Sequence, residues 1–316
     1  MASVQSEARG GFHEGELAVQ RRAGVASEAA RLEGMLDPPR LSGGASRFLA
    51  DRDLAVLTAR DRAGHLWTSP LTGRPGFLTV HGDTLRVDAR PGPADPLADL
   101  PAGRKAGLVV IDFATRRRVR VNGTLTVTDR RGFEVDVAEA FGNCPQYIQQ
   151  RLLGDAPAGP DSAQAGGARA SQAGPRVTDR MDAGQAALVG RADTFFLGTS
   201  HPVRGADSSH RGGPPGFVRV EGDGLWWPDY PGNNMFNSLG NLAVDDTAAL
   251  LFIDFATGRT LHLSGTAAVD WTDRGTPGDD GRTGRRVRFT PRLVAAGHTA
   301  LHAGPAVPSR YNPGLS

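Results

Sequence analysis

Residues Gly107 to Val127, GLVVIDFATRRRVRVNGTLTV, lie over Ala249 to Val269, ALLFIDFATGRTLHLSGTAAV, with ten of 21 positions identical. A second block agrees at nearly the same separation: RPGFLTVHGDTLRV from Arg74 matches PPGFVRVEGDGLWW from Pro214. Two matching segments in the same order imply that one fold occurs twice. The 316 residues are about twice the length of an ordinary domain, which leaves each copy room for its own core.

Within each copy the residues read as β-structure. Leu78 and Val80, then Leu85 and Val87, alternate with polar residues around the turn-prone His81-Gly82-Asp83, which predicts a hairpin. Leu108 to Phe113 is an apolar run broken only by Asp112; a Thr-Arg-Arg turn leads into alternating Val119 and Val121, with an Asn122-Gly123 turn beyond. Leu250 to Phe255, then Leu261 and Leu263, repeat the pattern. The 42 glycines and 22 prolines supply turns. Short antiparallel strands, too few per half for a two-sheet sandwich, predict a mainly β chain with a few helices, each half a small closed or partly closed barrel.

Three stretches have helical character. Gly15 to Leu36 sets Leu17, Val25, Leu32 and Met35 among charged residues as an amphipathic arm would. Val135 to Leu153 is expected as two helical pieces broken at Gly142 and Pro145. A third helix is expected from Thr178, as its cap, to about Arg191. Gly154 to Gly174, rich in Ala, Gly, Pro, Ser and Gln, reads as a flexible linker. The expected organisation is therefore a helical arm over 1–40, a first barrel over 41–153, a linker over 154–177, a second barrel over 178–300 and a tail over 301–316.

The net charge of +2 is spread without a basic block, which argues against a nucleic-acid partner. Met1 to Gln20 lacks the apolar core of a signal peptide, and no window approaches about eighteen uninterrupted apolar residues. A cytoplasmic protein without a membrane span is expected. The single cysteine, Cys144, excludes an intramolecular disulfide and cannot hold an ordinary iron–sulfur cluster by itself; it is expected to be a buried, inert thiol. No GxGxxG, Walker loop, HExxH or paired-cysteine motif occurs, and no metal is expected.

Two stretches of the second copy are unlike ordinary barrel sequence. Asp207-Ser208-Ser209-His210-Arg211-Gly212-Gly213 joins hydroxyls, an imidazole and a guanidinium to glycines that admit a ligand close to the main chain. Trp226 to Asn241, WWPDYPGNNMFNSLGN, offers four Asn side chains and loop N–H groups for a phosphate and a polar ring edge, beside flat aromatic walls. Composition alone fits equally with ordinary loops, since Asn and Gly both tolerate positive φ, and with Trp226 and Trp227 as core.

The order SHRGGPPGFVRV, PDYPGNNMFNSLGNL, LLFIDFATGRTLHLSG resembles the FMN-binding split barrel of the pyridoxamine 5′-phosphate oxidase-like superfamily. FHEGELAVQRRAGV, FGNCPQYIQQR and SRYNP resemble segments of a bacterial tandem-barrel flavoprotein group within it. The resemblance implies two tandem split β-barrels forming a pseudo-dimer. It places Ser209, His210, Arg211, Gly212 and Gly213 beside the flavin ring, and Asp229, Tyr230, Asn233, Asn234, Phe236, Asn237 and Asn241 around the ribityl chain and phosphate. Better-known oxidases of the superfamily hold the phosphate with Arg and Lys at that place, whereas this loop offers Asn and backbone. Arg117 and Arg118 of the first copy are expected to reach the same cleft. Ala89 to Gly103 lacks the Asn cluster, so one FMN per chain is expected.

The resulting expectation is an FMN-dependent oxidoreductase acting on a small organic molecule, with electrons from NAD(P)H or a separate reductase, in a monomer or homodimer. The alternative is a flavin-, haem- or deazaflavin-binding protein without dedicated catalysis. No residue is assigned as catalytic acid or base.

Overall fold

The computed structural model describes residues 11–35, 41, 43–155 and 175–315, so that positions 156–174 of the expected linker lie outside the described residues. In the first half the alternating segments form β1 (Leu54–Arg60), β2 (Leu66–Thr72), β3 (Leu78–His81), β4 (Thr84–Val87), β5 (Lys105–Asp112), β6 (Arg117–Thr128) and β7 (Phe133–Gly142). They hydrogen-bond in the order β2-β1-β5-β6-β7-β4-β3. After a short β8 (Leu153–Asp155), the second half contributes β9 (Val177–Thr178), β10 (Thr194–His201), β11 (Gly205–Gly212), β12 (Arg219–Glu221), β13 (Gly224–Pro228), β14 (Thr247–Ile253), β15 (Arg259–Trp271), β16 (Arg285–His298) and β17 (Leu301–Ala303). Its sheet runs β11-β10-β14-β15-β16-β13-β12, the same order strand for strand, with β9 added against β16. The chain is mainly β with few helices, and among the described residues no helix is long and apolar enough to cross a membrane.

Strand registers fix which positions correspond. Thr58 lies opposite Thr68 and Gly107, while Gly198 lies opposite Ser208 and Ala249. Each sheet also breaks register at the same place, between Asn122 and Gly123 in β6 and between Ser264 and Gly265 in β15. A Cβ on Gly123 would lie 2.1 Å from the Asp136 carbonyl oxygen, and one on Gly265 2.1 Å from that of Thr290, so both bulges need glycine.

Alternation sorts the apolar side chains into layers. Ala55, Leu57, Leu108 and Val110 face a core inside the first half, and Phe195, Leu197, Leu250 and Phe252 face one inside the second. The opposite faces of the same strands carry Leu54, Val56, Val109, Ile111, Phe196, Leu251 and Ile253, which form a third apolar layer. β1, β10 and β14 are thus buried on both faces, which explains their near-continuous apolar sequence. Here the sheets approach on glycines: a Cβ on Gly198 would meet Thr58 Cγ2 and Thr68 Oγ1 at 2.5 Å, and one on Gly107 would lie 2.7 Å from Asp207 Cα.

Four local expectations are corrected. Val135 to Leu153 is not helical; Phe133 and Val135 point into the first core while Glu134 and Asp136 point away, a period of two that pairs β7 with β6 and β4 despite helix-favouring Glu and Ala. Asn122-Gly123 is a bulge inside β6, not a turn, because β6 continues to Thr128. The third helix spans Ala183–Arg191 with Asp182 as cap, its side chain accepting from Gln185 N at 2.8 Å; Thr178 instead pairs in β9. The arm is interrupted by Gly24 at φ 75° into helices Glu14–Ala23 and Ala26–Ala30.

Gly198→Ala is expected to cost about 1–3 kcal/mol by overpacking the contact between the sheets, read as a lower urea midpoint. Adding Thr58→Gly, which removes one of the two side chains that the new Cβ meets, should cost less on this background than in the parent chain. An unchanged midpoint in the single variant would show that the sheets are not held this closely.

Candidate functional site

β11 ends its sheet, so one edge of it is not covered by a strand of its own half. That edge faces β5 and β6 of the first half. Arg118, near the start of β6, reaches across and donates from Nη1 to the His210 carbonyl oxygen at 3.2 Å and to His210 Nδ1 at 2.8 Å. A guanidinium only donates, so Nδ1 is the accepting nitrogen and neutral His210 carries its proton on Nε2. The imidazole is buried, edge-on to Phe113 and Phe196, and burial followed by the Arg118 charge holds its pKa well below the ordinary histidine value.

Three guanidinium groups gather there with unequal partners. Arg120 pairs with Asp207 at 3.0 Å, and that carboxylate also accepts from Asn122 at 3.3 Å and Ser238 at 3.4 Å. Arg211 stands 3.5 Å from Asp229, whose other oxygen accepts from Arg285 Nε at 2.9 Å. Among the described residues no carboxylate pairs with Arg118; desolvation, then Arg120 and Arg211, bring its pKa down to about 9. Arg211 is also lowered, chiefly by desolvation. The Nε atoms of Arg118, Arg120 and Arg211, Nε2 of His210 and the Tyr230 hydroxyl are buried without hydrogen-bond partners. Such a set leaves positive charge poorly compensated and donors unsatisfied.

A cleft opens beside this set, walled by the first-half segment 143–147 and the second-half segment 228–239. Its floor includes the N-terminus of the Asn237–Val244 helix, where Phe236 is the cap residue at φ 62° and no side chain caps the free N–H groups. Tyr147 and Asn234 also line the cleft at φ 63° and 62°, so three of the five non-glycine residues with positive φ among the described residues gather here. The Tyr147 hydroxyl donates to the Pro231 carbonyl at 3.0 Å, and its ring lies 5.0 Å from that of Tyr230. Gly212 is required at this crossing, since a Cβ there would lie 2.0 Å from the Tyr147 carbonyl oxygen. The cavity itself is about 110 Å³, below the roughly 300–1,000 Å³ of sites for drug-sized ligands, so a ligand of that size would fit only if these walls moved or if it lay partly in the open mouth.

Of the residues expected from sequence, His210, Arg211, Gly212, Asp229, Tyr230, Asn233, Asn234, Phe236, Asn237 and Arg118 line this one cleft. Four do not. Ser209 lies fully buried behind it, accepting from Ser238 at 3.1 Å, and Gly213 turns the chain against Phe217. Asn241, one turn further along the helix from Asn237, binds Thr199 and His13, and exposed Arg117 lies over the Phe48 ring. Sequence reasoning missed Arg120, Asn143, Gln146 and Tyr147 as lining residues; the two-residue spacing of Arg118 and Arg120 on one strand face was the available signal for Arg120. Cys144, expected to be buried, is half-buried and lines the cleft. Trp227 is core, whereas Trp226 is half-buried between Arg219 and Arg286.

The arm buttresses the cleft helix. Backbones touch where Gly15 crosses Gly240, a Cβ on Gly15 falling 2.1 Å from the Gly240 carbonyl oxygen. Buried Glu16 accepts from His13 N at 2.9 Å and from Asn237 Nδ2 at 2.5 Å. His13, Glu14 and His201 bring ligand atoms within 4.8 Å of one another, but backbone N–H groups of Gly15, and of Val203 and Arg204, donate to the two Nδ1 atoms. Each Nε2 therefore bears the proton that a metal would have to displace, and the cluster is a hydrogen-bonded latch.

Residues 181–275 match the family model described as pyridoxamine 5′-phosphate oxidase, and this part of the chain is a member of the pyridoxamine 5′-phosphate oxidase-like split-barrel superfamily. Similar solved structures include HupZ of Group A Streptococcus, at 10% identity over 39% of this chain and 100% of that one, TM-score 0.30. A putative pyridoxamine 5′-phosphate oxidase of Lactobacillus delbrueckii aligns at 15% identity over 37% and 94%, TM-score 0.30. HutZ, the haem storage protein of Vibrio cholerae, aligns at 13% over 38% and 96%, TM-score 0.29. No curated protein matches the chain.

Burial pushes the Glu16 pKa from 4.5 up to about 7 and the His13 pKa from 6.5 down to about 4. Folding then takes up a proton at Glu16 between those values, so its contribution falls as pH rises; at His13 folding releases one, and the contribution rises from about pH 4 to 6.5. The two slopes oppose each other. Glu16→Gln removes one of them, so its stability relative to the parent chain should grow by up to about 1.4 kcal/mol per pH unit between pH 4.5 and 7 in urea melts. A pH-independent difference would refute the burial-driven shift of Glu16.

Proposed function

We propose that the chain is a pair of split barrels in an internal pseudo-dimer, holding FMN in the cleft between the halves and working as an FMN-dependent oxidoreductase. The observation that carries this reading is the convergence of Arg118, which has no carboxylate partner among the described residues, with the uncapped helix N-terminus at Asn237. Buried positive charge and free N–H groups together favour a phosphate monoester. The unsatisfied Nε atoms of Arg118 and Arg211 and the aromatic walls fit the same group.

In this reading the N–H groups at Asn237 and Ser238, with Arg118 and Arg211, hold the phosphate. Tyr147, Tyr230, Phe217 and Trp227 provide apolar wall for the ring, and Asn233, Asn234 and Gln146 offer donors and acceptors to its polar edge. Bound FMN would supply one- and two-electron chemistry. The chain's own contributions are position and charge: His210 stays neutral, held by Arg118, and the guanidinium groups favour negative charge on whatever lies against them. Reducing equivalents come from a nicotinamide or a separate reductase and pass to a small organic acceptor.

The test compares FMN with riboflavin, which lacks the phosphate. The purified chain should bind FMN with visible absorbance and riboflavin at least about tenfold more weakly, a difference of about 1.4 kcal/mol. Arg118→Gln should weaken FMN while leaving riboflavin nearly unchanged. NADH and NADPH are then added to the loaded protein, and bleaching of the visible band reports reduction. A colourless protein that takes up neither flavin ends this reading, and preferential uptake of haemin with a Soret shift replaces it with a haem-binding one.

A further inference from the structure

The two-sheet arrangement creates a second place related to the cleft. The cleft joins β6 of the first half to β11 and the segment after β13; its counterpart joins β15 of the second half to β2 and the segment after β4. Strand registers put Thr260 and His262 where the cleft has Arg118 and Arg120, and Ser69 at the position of Ser209, which lies behind the cleft. In sequence Pro91-Gly92 falls where Pro231-Gly232 does, so the residues that follow correspond to the cleft loop.

The counterpart is filled by the chain itself. Asp95 is buried, accepts from Ser69 Oγ at 2.5 Å and from Leu97 N at 2.8 Å, and lies 3.9 Å from His262 Nε2. His262 donates from Nδ1 to the Thr68 carbonyl at 2.9 Å, and its Nε2 lies 2.9 Å from Thr260 Oγ1. Leu97 and Leu100 fold into the first core beside it. No buried side-chain atom of Ser69, Asp95, Thr260 or His262 lacks a partner, whereas the cleft leaves six such atoms unpaired, on Arg118, Arg120, Asn143, His210, Arg211 and Tyr230. One place is complete without a ligand and the other is not.

We propose that the counterpart is a second anion site occupied by the chain's own Asp95, whose carboxylate stands in for a ligand's acidic group, so that each chain holds a single cofactor. The segment 89–103 acts as the plug, fixed by Ser69 and the Leu97 N–H on one side and facing His262 on the other. Single occupancy rests on the flavin reading above; the plug itself does not.

The experiment uses the full chain and has two arms. In the first, wild-type protein is saturated with FMN and bound flavin per chain is counted by absorbance after denaturation; one is expected. In the second, Asp95→Ala removes the carboxylate and leaves a space of its size, so its melting temperature should drop by at least about 5 °C. Acetate or formate should then restore part of the drop in the variant without raising wild type, at an ionic strength matched with chloride. Asp95→Asn, which refills the space, should show no such response. If Asp95→Ala does not fold, Asp95→Ser takes its place in the same titration. Two flavins per wild-type chain, or no carboxylate-specific recovery in the truncated variant, overturns the proposal. Failure to bind any flavin defeats the functional reading and leaves the carboxylate arm to decide this one.

Discussion

The contact between the two sheets governs the rest of the molecule. Gly107 and Gly198 let backbone and side chains of the opposite half approach where no Cβ would fit, and the layer of Val56, Val109, Phe196 and Leu251 closes around them. Strands at this contact bury both faces, which concentrates apolar area in β1, β10 and β14. The same approach sets β6 against the open edge of β11, so a first-half arginine satisfies a second-half carbonyl. Neither half could present the cleft by itself, because Arg118 and Tyr147 come from one and His210 and Asn237 from the other.

The cleft and its counterpart show opposite solutions to one electrostatic problem. Buried charge is costly unless it is paired, and in the counterpart Asp95 lies among a serine hydroxyl, a backbone N–H and an imidazole. Around Arg118 the pairing is left incomplete, and positive-φ residues Tyr147, Asn234 and Phe236 store backbone strain of about 1–3 kcal/mol each. The arm helix, locked through Gly15 and Glu16 onto Gly240 and Asn237, keeps the helix N-terminus in place beside these residues.

Much of this was readable in the residues. The hairpin around His81-Gly82-Asp83 and the runs at Leu108 and Leu250 appear as strands because period and turn chemistry are local properties. Val135 to Leu153 misled because Glu and Ala favour helix in isolation, while the partners that make β7 a strand, β6 and β4, are supplied only by tertiary pairing. The cleft was legible in part: His210, Arg211 and the Asn233 to Asn237 run stood out by composition, and the family resemblance added Arg118. Arg120 was marked only by its two-residue spacing from Arg118, and the 143–147 segment did not stand out, since nothing in its neighbourhood marks it as facing a loop 84 residues away.

The sequence by itself determined most of the strands and hairpin turns, the like order of segments in the two halves and the unusual chemistry of 207–241, because these follow from side-chain period, glycine placement and residue type. The sequence already set the two corresponding places apart, since Ala89 to Gly103 lacks the Asn cluster, and tertiary structure decided how the first is closed while the second stays open. That choice depends on whether a carboxylate folds inward, as Asp95 does, or a helix N-terminus and unpaired guanidinium groups remain, as at Asn237 and Arg118. Burial and pairing are properties of neighbours brought together by folding, and no single stretch of chain encodes them.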